Sequence, residues 1–147
     1  MARSDKFTLT QKKQQLYSDF LTSFAYNKHT GYLGVIENED SVAQALKNFF
    51  LTNHGERFMN ASFGGNVTAL LFENYDRGMA EATTFTIREG LAHWEPRVSV
   101  HNIQIAPANT ENSGAMVNPN ELIVSLTYAI RNLYGEEHLD VLIKRVR

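Results

Sequence analysis

The chain has 147 residues, of which 43% are apolar and 20% charged, a composition typical of one globular domain with a hydrophobic core. Its net charge of -2 gives no electrostatic reason to bind nucleic acid or an anionic membrane surface. Because the chain has no cysteine, disulfide scaffolds, thiolate metal sites and cysteine nucleophiles are excluded together.

The first predicted elements are an N-terminal arm and a hairpin. Residues 1–16 are polar, so we expect a mobile arm, or an arm that a partner orders, ahead of a single domain over residues 17–147. The aromatic-rich residues 17–26 predict a strand. The turn residues at 27–31 lead to a second short strand at 32–36, so the two strands form a hairpin.

An amphipathic helix is predicted after the hairpin. Ser41 and Gln44 match a capping box, and Glu39 and Asp40 favour the positive end of the helix dipole. Gly55 stops this helix soon after its apolar face ends. That face consists of Val42, Ala45, Leu46, Phe49 and Phe50.

Two further helices are predicted in the middle of the chain, a short one at residues 67–72 and a longer one at residues 77–94. Gly90 marks either a weak point in the longer helix or a place of close packing. Its apolar stripe consists of Met79, Thr83, Ile87, Leu91 and Trp94.

The last third of the chain predicts strands. Residues 98–105 form a strand whose apolar positions change phase, which indicates a β-bulge near residues 101–102. A polar loop at 107–120 leads to the clearest strand, residues 122–130. Residues 139–146 form a last strand or a helical turn. The pattern predicts an α+β fold with a small antiparallel or mixed sheet packed by two main helices.

A stiff charged stretch joins the longer helix to the next strand. It consists of Trp94, Glu95, Pro96 and Arg97. Because proline fixes its own φ and disfavours the α region for the residue before it, Glu95 and Arg97 are held on a defined backbone. Two interpretations stay open: the charges dock on a partner, or they pair with Arg57 and Glu56 as an internal clamp.

No motif in the sequence requires an enzyme, since a phosphate-binding loop, a zinc-binding helix motif and a nucleophile elbow are all missing. Glycoside hydrolysis needs two convergent carboxylates. Arginines lie within two positions of Glu56 and Glu95 and favour ionised carboxylates, whereas a general acid needs the opposite shift. We therefore predict no catalytic residue, no cofactor and no metal site. The candidate carboxylates are Glu56, Glu73, Asp76, Glu89 and Glu95.

The order of several segments resembles a known family. The segments are Thr52-Asn53-His54-Gly55-Glu56-Arg57, Phe63-Gly64, Leu70-Leu71-Phe72-Glu73 and Trp94-Glu95-Pro96-Arg97. Together they resemble the baseplate wedge, or sheath-initiator, proteins of contractile phage tails, which have relatives in type VI secretion baseplates and other contractile injection systems. The resemblance covers roughly residues 17–134. Family members often have a basic residue and a proline where this chain has residues 59–62.

The resemblance implies a structural, non-enzymatic tail protein. It implies docking on the core of the baseplate wedge through Glu95, Pro96 and Arg97, with Glu56, Arg57 and Trp94 in supporting positions. It also implies a fold like the strand-exchange domain of tail sheath proteins, so that a sheet edge starts sheath assembly by strand pairing.

The same resemblance implies the setting of the protein. Its partners would be baseplate wedge proteins and the tail sheath protein, with the tail tube or hub as further candidates, and neither nucleic acid nor membrane. It would be present in multiple copies in the six-fold baseplate of the virion, after assembly in the host cytoplasm. Because some family members carry a lysozyme label, a peptidoglycan hydrolase of the tail is the alternative.

Overall fold

The fold combines two main helices with a small antiparallel sheet, as the sequence predicts. The computed structural model describes residues 14–72, 76–108, 121–133 and 135–144. The predicted arm therefore lies mostly outside the described residues, and so does most of the predicted loop at 107–120. The elements in chain order are β1 (Ser18–Phe20), β2 (Val35–Glu37), α1 (Asn38–Leu51), a 3-10 helix (Val67–Phe72), α2 (Arg77–Trp94), β3 (Val98–Pro107), β4 (Glu121–Ile130) and β5 (Glu136–Lys144).

The main sheet has the order β3-β4-β5, and both pairings are antiparallel. The predicted bulge is present, because the register shifts between Val100 and Asn102. The last segment is a strand rather than a helical turn. Central strand β4 alternates strictly between buried and half-buried residues, so one face belongs to the core. Burial raises the pKa of Tyr128 on this face to about 12. The buried β4 residues are Leu122, Val124, Leu126, Tyr128 and Ile130.

The helices cover the inner face of this sheet. The predicted apolar face of α1 is confirmed for Val42, Leu46, Phe49 and Phe50, which are completely buried. In α2, Ile87 and Leu91 are buried as predicted, whereas Met79 is 37% exposed and Ala80 takes its place in the core. A Cβ added at Gly90 would lie 2.9 Å from Cζ of Phe49, so this glycine marks close packing. Among the described residues, no helix is long and apolar enough to cross a membrane.

The predicted capping box of α1 is wrong. The helix begins at Asn38, three residues before Ser41, and its N-cap Glu37 makes no side-chain capping bond. Ser41 lies inside the helix and is fully buried. Glu39 and Asp40 do occupy the first turn, as predicted. At this helix start, the Asn38 side chain holds the N-terminal segment: its Oδ1 accepts from the Leu16 N–H at 2.9 Å, and its Nδ2 donates to the Gln14 carbonyl at 3.2 Å.

The N-terminal hairpin is present but its strands are shorter than predicted. Within the predicted strand at 17–26, Ser18–Phe20 forms β1 and Tyr26 makes an isolated antiparallel bridge with Leu33. The chain turns between them at Phe24, whose φ is 49°. Gln44, assigned by the sequence to the capping box, instead attaches the hairpin to α1. Its Oε1 accepts from the Thr22 N–H at 3.0 Å, and its Nε2 donates to the Phe20 carbonyl at 2.8 Å.

Replacing Asn38 with alanine should lower the free energy of unfolding by about 3 kcal/mol. The substitution removes the hydrogen bonds to residues 14 and 16. It also places alanine, which has no polar side-chain group, at a positive φ of 49°. Asn48→Ala, on the exposed side of the same helix, is the control and should change stability by less than about 0.5 kcal/mol. Urea denaturation measures both, and equal losses would contradict the role given to Asn38.

Candidate functional site

The charged stretch after α2 forms an ion pair within itself. Nε and Nη2 of Arg97 donate to the same oxygen, Oε2 of Glu95, at 3.0 Å and 2.7 Å. The Arg97 side chain is 30% exposed and the Glu95 side chain is 15% exposed. Within the described residues, the Arg97 guanidinium makes no other hydrogen bond, so its remaining N–H groups can donate to a partner.

The backbone around this pair is a fixed turn. The Glu95 N–H donates to the Leu91 carbonyl at 2.8 Å and closes α2, and the Val98 N–H donates to the Glu95 carbonyl at 3.1 Å. Pro96 is exposed between them and prevents continuation of the helix. The Arg97 carbonyl accepts from the Arg131 N–H at 2.8 Å, which joins the turn to the end of β4.

Tyr17, which the sequence did not single out, supports the pair from the N-terminal segment. The Arg97 guanidinium carbon lies 5.5 Å from the centre of the Tyr17 ring, within the range of a cation–π contact. The Tyr17 hydroxyl donates to the Arg131 carbonyl at 3.1 Å. The two contacts connect residues that are far apart in the chain, so no local pattern indicates them.

Glu56 and Arg57, predicted to support the site, have partners of their own in the loop at residues 52–66. Glu56 accepts from the backbone N–H and the side-chain amide of Asn53, at 2.8 Å and 2.9 Å. These hydrogen bonds lower the pKa of Glu56. The Arg57 guanidinium carbon lies 3.5 Å from the centre of the Phe63 ring. The internal clamp, in which Glu95 and Arg97 would pair with Arg57 and Glu56, is therefore not present in the structure.

Aromatic packing nevertheless joins the 52–66 loop to the charged stretch. The Phe63 ring, which carries Arg57 on one side, packs edge-to-face against Trp94 with centroids 5.5 Å apart. It packs in the same way on Phe49 of α1, again at 5.5 Å. Trp94 is partly buried against the core. The structure thus brings the predicted site residues to one end of the molecule, through an aromatic residue whose role the sequence did not show.

Gly64 lets the 52–66 loop return to α1. Its φ is +120°, and an added Cβ would collide with the Thr52 carbonyl oxygen. The neighbouring Gly65 N–H donates to the Phe49 carbonyl at 2.9 Å, and Nε2 of His54 lies 3.0 Å from the Gly64 carbonyl oxygen. Only glycine fits this close approach of two backbones.

Two of the carboxylates considered for hydrolysis, Asp76 and Glu56, make structural hydrogen bonds. Asp76 caps α2 by accepting from the Gly78 N–H at 3.1 Å. The pKa of Glu56 is lowered, whereas a general acid needs a raised one. Glu89 is exposed on α2, and Glu73 lies outside the described residues. Among the residues that the structure describes, no three His, Cys, Asp or Glu side chains are grouped to hold a metal ion.

Solved structures show where this fold occurs. A subunit of the anti-feeding prophage baseplate aligns with a TM-score of 0.63 and 23% identity, over 80% of this chain and 88% of that subunit. A protein from Geobacter sulfurreducens, provisionally named a tail lysozyme, aligns with a TM-score of 0.60 and 19% identity, over 74% of this chain and 92% of that one. No curated protein sequence matches the chain.

The chain therefore shares its fold with a subunit of a known baseplate. A family model described as "Baseplate wedge protein gp25" matches residues 36–133, which is more than half of the chain, and the protein belongs to this family. The family resemblance read from the sequence is confirmed, and it supports a structural role in a baseplate.

Gly64→Ala should lower the free energy of unfolding by about 3 kcal/mol or more, because the new Cβ would collide with the Thr52 backbone. Gly55→Ala is the matched control. Its φ is also positive, at +87°, but nothing lies within 4 Å of the added Cβ, so about 1 kcal/mol is expected. Urea denaturation of both variants tests the difference, and similar losses would show that the backbone contact does not matter.

Proposed function

We propose that the protein is a non-enzymatic subunit of a contractile-tail baseplate, which docks on the wedge through Glu95, Pro96 and Arg97. The observation that carries this proposal is the arrangement of the Glu95–Arg97 pair. It is oriented by hydrogen bonds of 2.7 Å and 3.0 Å, is partly exposed, and keeps donor groups free for a partner. A pair fixed before binding loses less conformational entropy on binding.

The surroundings support docking more than a purely internal role. Glu56 and Arg57 do not neutralise the pair, since both have partners within the 52–66 loop: Glu56 accepts from Asn53, and Arg57 lies on Phe63. A salt bridge between partly exposed side chains adds little to the stability of the subunit. Across an interface the same pair gives specificity, because a wrong partner would desolvate it without accepting hydrogen bonds from the remaining Arg97 N–H groups.

Arg97→Ala should reduce incorporation of the subunit into the wedge by about ten-fold or more, because Glu95 then enters the interface without its cation. The measurement is the amount of wedge protein that copurifies with the tagged subunit from cells assembling the particle. The melting temperature should change little, since backbone bonds hold the turn.

Arg77→Ala is the control for this experiment. Arg77 also forms an ion pair, with Glu81 at 3.2 Å, but it lies at the opposite end of α2 from the charged stretch. It should incorporate into the wedge normally. Normal incorporation of Arg97→Ala would rule out the docking role.

We further propose that β3 is the sheet edge that starts sheath assembly. The described residues pair no further strand with β3 or β5, so both are edges of the main sheet. β5 carries Glu136, Glu137, Asp140 and Lys144, and charges of this kind discourage strand addition. The ten residues of β3 contain no Asp, Glu, Lys or Arg.

A groove between α2 and β3 supports this choice of edge. Its volume is about 510 Å³. Residues from both faces of β3 line it, so it follows the edge of the strand rather than one face. An exposed sheet edge can bind an added peptide strand through main-chain hydrogen bonds, and a groove beside it can take alternate side chains of that strand. The lining residues are Arg77, Ala80, Glu81, Thr84, Ile103, Gln104, Ile105 and Ala106.

Thr84→Arg should block sheath assembly while leaving wedge docking intact, because the long side chain fills the groove from the helix side. Thr86→Arg is a matched control, because Thr86 lies on the same helix but outside this groove. The hydroxyls of Thr84 and Thr86 each donate to the backbone carbonyl four residues earlier, so both substitutions remove the same kind of hydrogen bond. Electron microscopy of assembled particles measures the fraction that carries sheath. Normal sheath on Thr84→Arg particles would exclude this groove as the starting edge.

The hydrolase alternative has weaker support. The name of the Geobacter sulfurreducens protein mentions lysozyme, but its similarity of 19% identity concerns the fold alone. The lowered pKa of Glu56 favours a carboxylate that stays ionised, so this group is not suited to donate a proton to a glycosidic oxygen. Oε2 of Glu95 accepts two hydrogen bonds from Arg97.

A further inference from the structure

The most exposed large apolar side chains of the described residues lie together in one tight turn. Phe58 is 98% exposed and Met59 is 87% exposed. The Asn60 N–H donates to the Arg57 carbonyl at 3.2 Å and closes a β-turn with Phe58 and Met59 at its corners. Both side chains therefore project from the protein with almost no contact to it.

The base of this turn is held firmly on both sides. Glu56 is bound by Asn53, and Arg57 lies on the Phe63 ring. The Gly55 N–H donates to the Ala61 carbonyl at 2.8 Å and joins the two arms of the loop. Two apolar side chains on a fixed turn lose little backbone freedom on binding, unlike the same residues on a loose loop.

We propose that Phe58 and Met59 form an apolar knob that inserts into a hydrophobic pocket of the same wedge subunit on which Glu95 and Arg97 dock. This inference rests on the proposed function. The knob and the charged stretch belong to one end of the molecule, because Arg57 packs on Phe63 at 3.5 Å and Phe63 packs on Trp94 at 5.5 Å.

The shape and charge of the knob define the pocket. A projecting turn requires a concave partner surface, and an uncharged tip requires an apolar one. The flexible thioether of Met59 fills irregular space beside the rigid Phe58 ring. A membrane is the less suitable partner, since anionic lipid attracts clustered basic residues. Here Arg57 has the ionised Glu56 as its neighbour, and its guanidinium is stacked on Phe63.

The test compares wedge copurification for the wild type, the double variant Phe58→Ala/Met59→Ala, and the control Phe85→Ala. Phe85 is an exposed phenylalanine, 62% accessible, on α2. The double variant should recover less wedge subunit than the wild type by about ten-fold or more. Phe85→Ala should recover the same amount as the wild type. All three should have the same melting temperature, since the substituted side chains are exposed.

The outcomes separate the two proposals. If Arg97→Ala loses the wedge subunit while the double variant retains it at the wild-type level, the knob is wrong and the docking proposal stands. If the wild type recovers no wedge subunit, both fail. A benzophenone amino acid at position 58 gives a second measurement. A cross-link to apolar residues of the wedge subunit supports the knob, and a cross-link only to a second copy of this chain, or none, overturns it.

Discussion

The packing around the buried Phe49 ring is the interaction on which the rest of the structure depends. The ring is completely buried where α1, the 52–66 loop and α2 meet. Phe63 packs edge-to-face on it from the loop, and Gly90 brings α2 so close that a Cβ would lie 2.9 Å from the ring. Because the charged stretch follows the end of α2, its position relative to the loop is set by apolar packing and not by charge.

The charges act on a scaffold that is already fixed. Glu95 and Arg97 are paired, Glu56 is held by Asn53, and Arg57 lies on Phe63. Each arrangement is satisfied within a few residues along the chain or by one aromatic ring. Folding therefore does not need these ionic groups to find distant partners, and their modest contribution to stability leaves them available for recognition.

Helix α2 separates the two proposed contacts. The charged stretch lies after its last residue, and the groove beside β3 includes Arg77 and Ala80 from its first turn. Its 18 residues make the helix about 27 Å long. Under the proposed function, one subunit could therefore hold the wedge at one end of α2 and a sheath strand near the other, without the two partners competing for the same surface.

The sequence by itself determined the helices, strands β3 and β4 of the main sheet and the bulge, because apolar periodicity depends only on which face is buried. It left β5 open between a strand and a helical turn, and the structure shows a strand. The sequence also indicated the stiffness of the charged stretch, since proline restricts the backbone locally. The absence of an Arg57–Glu95 pair was decided by tertiary structure, since Arg57 lies on the Phe63 ring, and so was the attachment of Asn38 to the N-terminal segment. Both depend on which groups meet across the fold, and the contacts of Tyr17 and Phe63 join segments whose separation in sequence gives no local signal.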